Sequence, residues 1–148
     1  MLAFDTIGTA CGIDVSQAAI DFCRKRGLTN VTVSPAEKLP FADRSFDIVT
    51  CLDVIEHATN PVDVLSELRR VLKDDGKIIL MAPAFRFLWS QHDEALCRLR
   101  RYEKASLLAD LKDSGLQADR LNYFFFTSFF AVAPIRLLRR LIVKKGAM

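Results

Sequence analysis

Asp14 closes a short apolar run, Cys11-Gly12-Ile13, and two residues later Ser16 offers a helix-capping hydroxyl. An acid in that setting reads as the position where a nucleotide-binding βαβ unit grips a ribose. Its carboxylate can accept a charge-assisted hydrogen bond from each hydroxyl of the diol, worth about 1.5–3 kcal/mol apiece before desolvation. The competing reading is structural: the acid merely favours the N-terminus of the helix that follows. Ser34-Pro35-Ala36-Glu37 ends a second apolar run, where backbone groups can face an adenine edge. In such units a Gly-rich cofactor loop lies ~20 residues before the acid, and a whole βαβ unit takes about 30 residues. Thirteen residues precede Asp14, so the expectation is a chain that carries the second half of a cofactor site without the first.

The elements that would position these residues follow from periodicity and punctuation. Ser16 caps a helix with Ala19, Ile20 and Cys23 on its apolar face and Gly27 behind it. Val31-Thr32-Val33 is a strand, and Pro35 to Arg44 a loop broken at Pro40. Phe46 to Cys51 is a third strand, apolar enough to be expected in the centre of a sheet and buried on both faces. Asn60-Pro61 starts a helix striped by Val64, Leu65, Leu68, Val71 and Leu72. Asp74-Asp75-Gly76 is expected to turn the chain into a strand over Lys77 to Ala82, followed by an irregular stretch to about Tyr102. A helix over Lys104 to Ser114 turns Leu107, Leu108 and Leu111 inward, with Gly115 behind it. Leu116 to Phe126 reads as a strand, and Pro134 to Lys145 as a basic helix. Strands alternating with helices predict an α/β fold, Rossmann-like, with a mostly parallel sheet. Ligands of such sheets bind beyond the carboxyl ends of the strands, which selects Asp14, Ser34–Glu37, Cys51–Asp53 and the stretch from Pro83 onward.

Composition narrows the class. A length of 148 residues suits one domain, and a net charge of +3 argues for no nucleic-acid partner. Four cysteines without a CxxC pair, far from the two histidines, give no zinc or disulfide pattern. Cys11, Cys23 and Cys51 are expected as buried free thiols, and reduced cysteines point to the cytoplasm. The first residues, Met1 to Asp5, lack the basic and apolar regions of a signal peptide.

Four stretches are more specific together than singly: Ala36-Glu37-Lys38-Leu39-Pro40-Phe41, Ser45-Phe46-Asp47-Ile48-Val49, Glu56-His57 and Asp74-Asp75-Gly76-Lys77. In order and spacing they resemble class I S-adenosylmethionine-dependent methyltransferases, in particular the small-molecule group that includes the quinone-biosynthesis enzymes. The resemblance covers about residues 10 to 120. It implies S-adenosylmethionine as cofactor and a small-molecule or lipid-linked acceptor. It implies that Asp14 and Val15 meet the ribose side, that Ala36 and Glu37 lie along the adenine, and that Cys51, Leu52 and Asp53 form the floor near the methionine part. His57 is a candidate general base, against a structural role in bonding the backbone after the strand. Arg101 and Tyr102 are candidate substrate-lid residues, against a role in anchoring their loop.

Three departures accompany the resemblance. The Gly-rich loop is missing, together with the first strand and helix. Cys97 and Arg98 stand where related sequences usually show Gly-His. Nothing after Phe126 looks like the last strand of the family's sheet. The chain is thus expected to be a partial methyltransferase-like domain over residues 1–120, and possible inactivity follows from the truncation. Residues 121–148 are expected to add an aromatic strand and a basic helix. Tyr123 to Ala133 is too short to cross a bilayer, which takes ~20 residues, but with the arginines and lysines behind it the stretch 123–145 suits peripheral membrane contact. Two other readings stay open: a non-catalytic membrane-peripheral or interaction module on the same fold, and a nicotinamide-dependent Rossmann oxidoreductase, disfavoured by the lack of a Tyr-x-x-x-Lys pair.

Overall fold

The structure, a computed structural model, describes residues 8–124, 129–130 and 133–136. β1 (Gly12–Asp14) leads into α1 (Gln17–Lys25), where Ser16 Oγ accepts from the Ala19 N–H at 3.3 Å and the chain leaves through Gly27 at φ 84°. That left-handed conformation suits glycine because it lacks the Cβ that would meet the following carbonyl. β2 (Val31–Val33) returns parallel to β1, pairing Gly12 with Val31 and Asp14 with Val33.

β3 (Phe46–Leu52) pairs in parallel with β4 (Leu72–Met81), and α2 (Pro61–Val71) is the crossover between them. Asn60 Oδ1 accepts from the Val62 N–H at 3.2 Å, and Pro61 occupies the first helical position, where a missing N–H costs nothing. Val64, Leu65, Leu68 and Val71 are buried, as the helical period predicts. They pack with Ile55, Cys51 and Leu111 of α4 (Lys104–Asp113) into the main core.

The parallel strands form two two-stranded sheets, β1-β2 and β3-β4, in keeping with an incomplete sheet that lacks the family's first strand. Four expectations are corrected. β3 is not buried on both faces: Asp47, Ile48, Thr50 and Leu52 are exposed, because its edge away from β4 has no strand partner among the described residues. Asp74-Asp75-Gly76 does not turn the chain between two elements. β4 begins at Leu72 and absorbs these residues as a register shift between the Phe46–Leu72 and Ile48–Lys77 pairs. Gly76 permits this, since a Cβ there would lie 2.7 Å from the Leu72 side chain. The stretch after Pro83 is not wholly irregular: it holds a 3-10 turn (Arg86–Leu88), the short helix α3 (Gln91–Ala95) and a parallel bridge from Ala84 to Tyr102. Leu116 to Phe124 forms no strand, while Phe125 and Phe126 lie outside the described residues.

Smaller differences follow from solvent. Leu108 is exposed while Leu111 of the same helix is buried, and Cys11 is exposed while Cys51 is buried. Residues 133–136 are helical; the rest of the expected basic helix lies outside the described residues.

Candidate functional site

Between the two sheets lies a cavity of about 1350 Å³, larger than the ~300–1,000 Å³ usual for a small-ligand pocket. The facing edges of β1 and β3 line its two sides, and no strand lies between them among the described residues. Asp14, Val15, Ala36, Glu37, Cys51, Asp53 and His57 all contribute to its lining. Leu52, Arg101 and Tyr102 do not.

Each lining residue is set by its own local chemistry. Asp14 ends β1, and its Oδ1 accepts from the Ser16 N–H at 2.8 Å, so one oxygen steadies the start of α1. Its backbone carbonyl accepts from Ser34 N–H at 3.1 Å, which ties the ends of β1 and β2 together. The loop after β2 is closed by Ser34 Oγ donating to the Lys38 carbonyl at 2.8 Å. Two α2 residues then clamp this loop. Glu67 accepts from the Leu39 N–H at 2.8 Å, and Arg70 donates to the carbonyls of Leu39 and Phe41 and to the Asp43 carboxylate. Arg70 also pairs with Glu67, which holds the Glu67 carboxyl below its usual range. Sequence reasoning missed this clamp; its signal is the Glu-x-x-Arg spacing on the polar side of α2.

The floor is formed beyond β3. Asp53 has φ 53°, an uncommon conformation for a residue other than glycine, and its N–H donates to the Met81 carbonyl at 3.0 Å. Burial, and then the Glu56 charge, push the Cys51 thiol up to about 11, so it stays neutral at physiological pH. His57 Nδ1 lies 3.1 Å from the Cys97 carbonyl, and its Nε2 lies 3.8 Å from Glu56 Oε1. The first is the backbone contact expected of a structural histidine.

Arg101 and Tyr102, weighed as lid residues against a role in anchoring their loop, are buried and hold that loop. Tyr102 bonds the backbone of Pro83 and Phe85, and burial pushes its hydroxyl up to about 12. Arg101 donates twice to Asp93 Oδ1, at 3.0 and 2.7 Å, and once to the Ala84 carbonyl. Asp93 is fully buried and also receives Ser90, Arg98 and Arg136. Burial opposes its charge, but the Arg101 hydrogen bonds win and hold its carboxyl down at about 2. Arg98 reaches Asp93 at 3.3 Å, Glu56 at 3.2 Å and Asp53 at 3.5 Å, linking the cavity floor to the loop. Its contact with Glu56 is not aligned as a hydrogen bond, and burial raises the Glu56 carboxyl above its usual range.

The family model described as a methyltransferase domain matches residues 1–80, more than half of the chain. The chain belongs to the methyltransferase domain family. Protein MJ1123 of Methanocaldococcus jannaschii is 34% identical to this methyltransferase domain over 99 residues, covering 66% of this chain and 48% of its own. The ubiquinone/menaquinone biosynthesis C-methyltransferase UbiE of Citrifermentans bemidjiense is 35% identical over 69 residues, covering 47% of this chain and 29% of its own. Among solved structures, YcgJ of Bacillus subtilis aligns with a TM-score of 0.64 at 26% identity, covering 76% of this chain and 55% of that one. The methyltransferase domain thus has the class I methyltransferase fold. It spans about half the length, or less, of the curated relatives it matches.

Proposed function

We propose that this domain transfers a methyl group from S-adenosylmethionine to a small-molecule or lipid-linked acceptor. The observation that carries the reading is the convergence of the carboxyl ends of three strands on one cavity. Asp14 with Val15, Ala36 with Glu37, and Cys51 with Asp53 all line it. The donor set fits the nucleoside half of that cofactor: a carboxylate for a ribose diol, a loop of backbone groups for an adenine edge, and a floor that joins the buried Cys51 to the Asp53 carboxylate.

When bound, S-adenosylmethionine supplies an electrophilic methyl on a sulfonium, so alignment accounts for most of the chemistry and no covalent enzyme intermediate is needed. Asp14 would accept from the ribose hydroxyls through Oδ2, its Oδ1 being occupied by the Ser16 N–H. Ala36 and Glu37 would hold the adenine side, kept in place by the Glu67–Arg70 clamp. Cys51, held neutral, is a poor nucleophile and does not compete with the acceptor. His57, which lines the cavity between the Cys97 carbonyl and the Glu56 carboxylate, is the candidate base for an oxygen or nitrogen nucleophile. The lipid-linked alternative draws on the likeness to UbiE, whose name gives ubiquinone or menaquinone biosynthesis.

Amide chemical-shift mapping with S-adenosylhomocysteine tests the reading. Shifts are expected at Asp14, Val15, Ala36, Glu37 and Asp53, with α4 unmoved. Shifts at those amides with a reduced nicotinamide dinucleotide, and none with S-adenosylhomocysteine, would overturn it in favour of an oxidoreductase.

A further inference from the structure

We infer that Arg98 is a positioning residue of the cavity: through Asp53 and the segment that follows it, Arg98 fixes the cavity floor against the loop that leaves β4. The chemistry assigned to the floor rests on the methyl-transfer reading; the geometry does not. Each nitrogen of the guanidinium meets a different carboxylate. Nη2 lies 3.5 Å from Asp53 Oδ1, Nε 3.2 Å from Glu56 Oε1 and Nη1 3.3 Å from Asp93 Oδ1. Glu56 and Asp93 are fully buried, whereas Asp53 lines the cavity. Two arms of the fork are thus anchored in the interior, and the third holds a carboxylate that a ligand can reach.

The backbone on either side of Arg98 follows the same floor segment. The Cys97 carbonyl lies 3.1 Å from His57 Nδ1, the Leu99 N–H donates to the Glu56 carbonyl at 2.9 Å, and Arg100 donates to the Thr59 carbonyl at 3.0 Å. Residues 97–100 therefore form a strap along residues 53–59, and both Asp53 and His57, the two lining residues of that segment beyond β3 with a titratable side chain, are held by it. The far end of the strap is fastened as well. The Arg98 N–H donates to the Asp93 carbonyl at 2.9 Å, and the Asp93 carboxylate is gripped by Arg101 at 2.7 Å and Arg136 at 3.2 Å. Strap and floor each carry a residue at positive φ, Cys97 and Asp53, both at 53°. Such backbone persists where surrounding contacts over-determine it, and here the contacts come from both segments.

Arginine suits this task where lysine does not. A planar fork sets three donors in fixed directions, while an ammonium on a flexible stem is a single point charge. With Oδ1 of Asp53 held by the fork, Oδ2 is left to accept from a ligand. Methyl transfer needs donor and acceptor in line, and a misplacement of about 1 Å costs on the order of a hundredfold in rate. Arg98 itself does not line the cavity, so its effect on a ligand passes through Asp53 and His57.

Amide hydrogen exchange of the full chain tests the positioning without any cofactor, and S-adenosylhomocysteine binding tests its consequence. Arg98→Lys keeps the charge and loses the fork. It should quicken exchange at Asp53 and His57 about tenfold and leave Leu65 and Leu68 of α2, which report global stability, unmoved. Asp53→Asn, which leaves the buried anchors of Arg98 in place, should give the same quickening at position 53. Each variant should raise the dissociation constant for S-adenosylhomocysteine about tenfold, and the double variant no further, because both remove one contact. Exchange at Asp53 unmoved in both variants, equal quickening at Leu65 and Leu68, or losses of affinity that add in the double variant would each overturn the inference. A wild-type chain that binds no S-adenosylhomocysteine while Arg98→Lys still loosens Asp53 and His57 would count against the methyl-transfer reading alone.

Discussion

At the scale of single residues, the structure divides the acids by what surrounds them. Asp14 is exposed and keeps one oxygen for a ligand, whereas Asp93 is fully enclosed by arginines and a serine. Its folded pKa of about 2 lies below the ordinary 3.8, so its contribution to stability is present above about pH 4 and lost as pH falls toward 2. Glu56 acts in the opposite sense: its carboxyl is raised, so its contribution declines as pH rises above about 4.5. Asp93→Asn should lower stability at neutral pH by about 3–5 kcal/mol, because it leaves buried arginines without their charge partner. Urea unfolding from pH 2 to 7 should show the acid limb flattened in that variant; an unchanged curve would refute the role given to Asp93. Asp14 was legible in the sequence because strand, acid and cap are adjacent. Asp93 was not, because its partners Arg101 and Arg136 come from other segments, and Arg136 is 43 residues away.

At the scale of elements, local signals did best where local chemistry decides. Asn60-Pro61 and Ser16 start their helices as their side chains demand, and Gly27 and Gly115 leave theirs at positive φ. Asn60→Ala should cost about 1 kcal/mol and Leu65→Ala, in the core, about 2–5 kcal/mol, both measured by denaturant unfolding. The cavity-lining loop after β2 depends on α2 rather than on its own sequence. Arg70→Ala should therefore quicken amide exchange at Leu39 by about tenfold, since Glu67 loses the guanidinium that orients it. Unchanged exchange would show that the loop holds itself. Asp74-Asp75-Gly76 misled because a turn-forming triplet can also be absorbed as an irregularity when the neighbouring strand supplies a continuous edge.

At the scale of the molecule, parallel pairing was readable from alternation of strands and helices, and the division into two sheets from the lack of a Gly-rich strand and turn before Asp14. It follows from the relation of β1 to β3, which face each other across the cavity instead of pairing. Among the described residues neither facing edge carries a further strand, and open edges template association. Sedimentation velocity should show the chain self-associating as concentration rises, and Ile48→Lys, which sets a charge on the β3 edge, should suppress it; a strictly monomeric wild type would contradict this. The same cavity is where the functional account stands or falls. Calorimetric titration with S-adenosylmethionine tests it most directly. Weak but saturable heat is predicted for the wild-type chain, because its lining fits the nucleoside half of the cofactor, and a dissociation constant raised about tenfold or more in Asp14→Ala, from the loss of a charge-assisted hydrogen bond. No saturable heat in the wild type, or equal affinity in the two proteins, would contradict it.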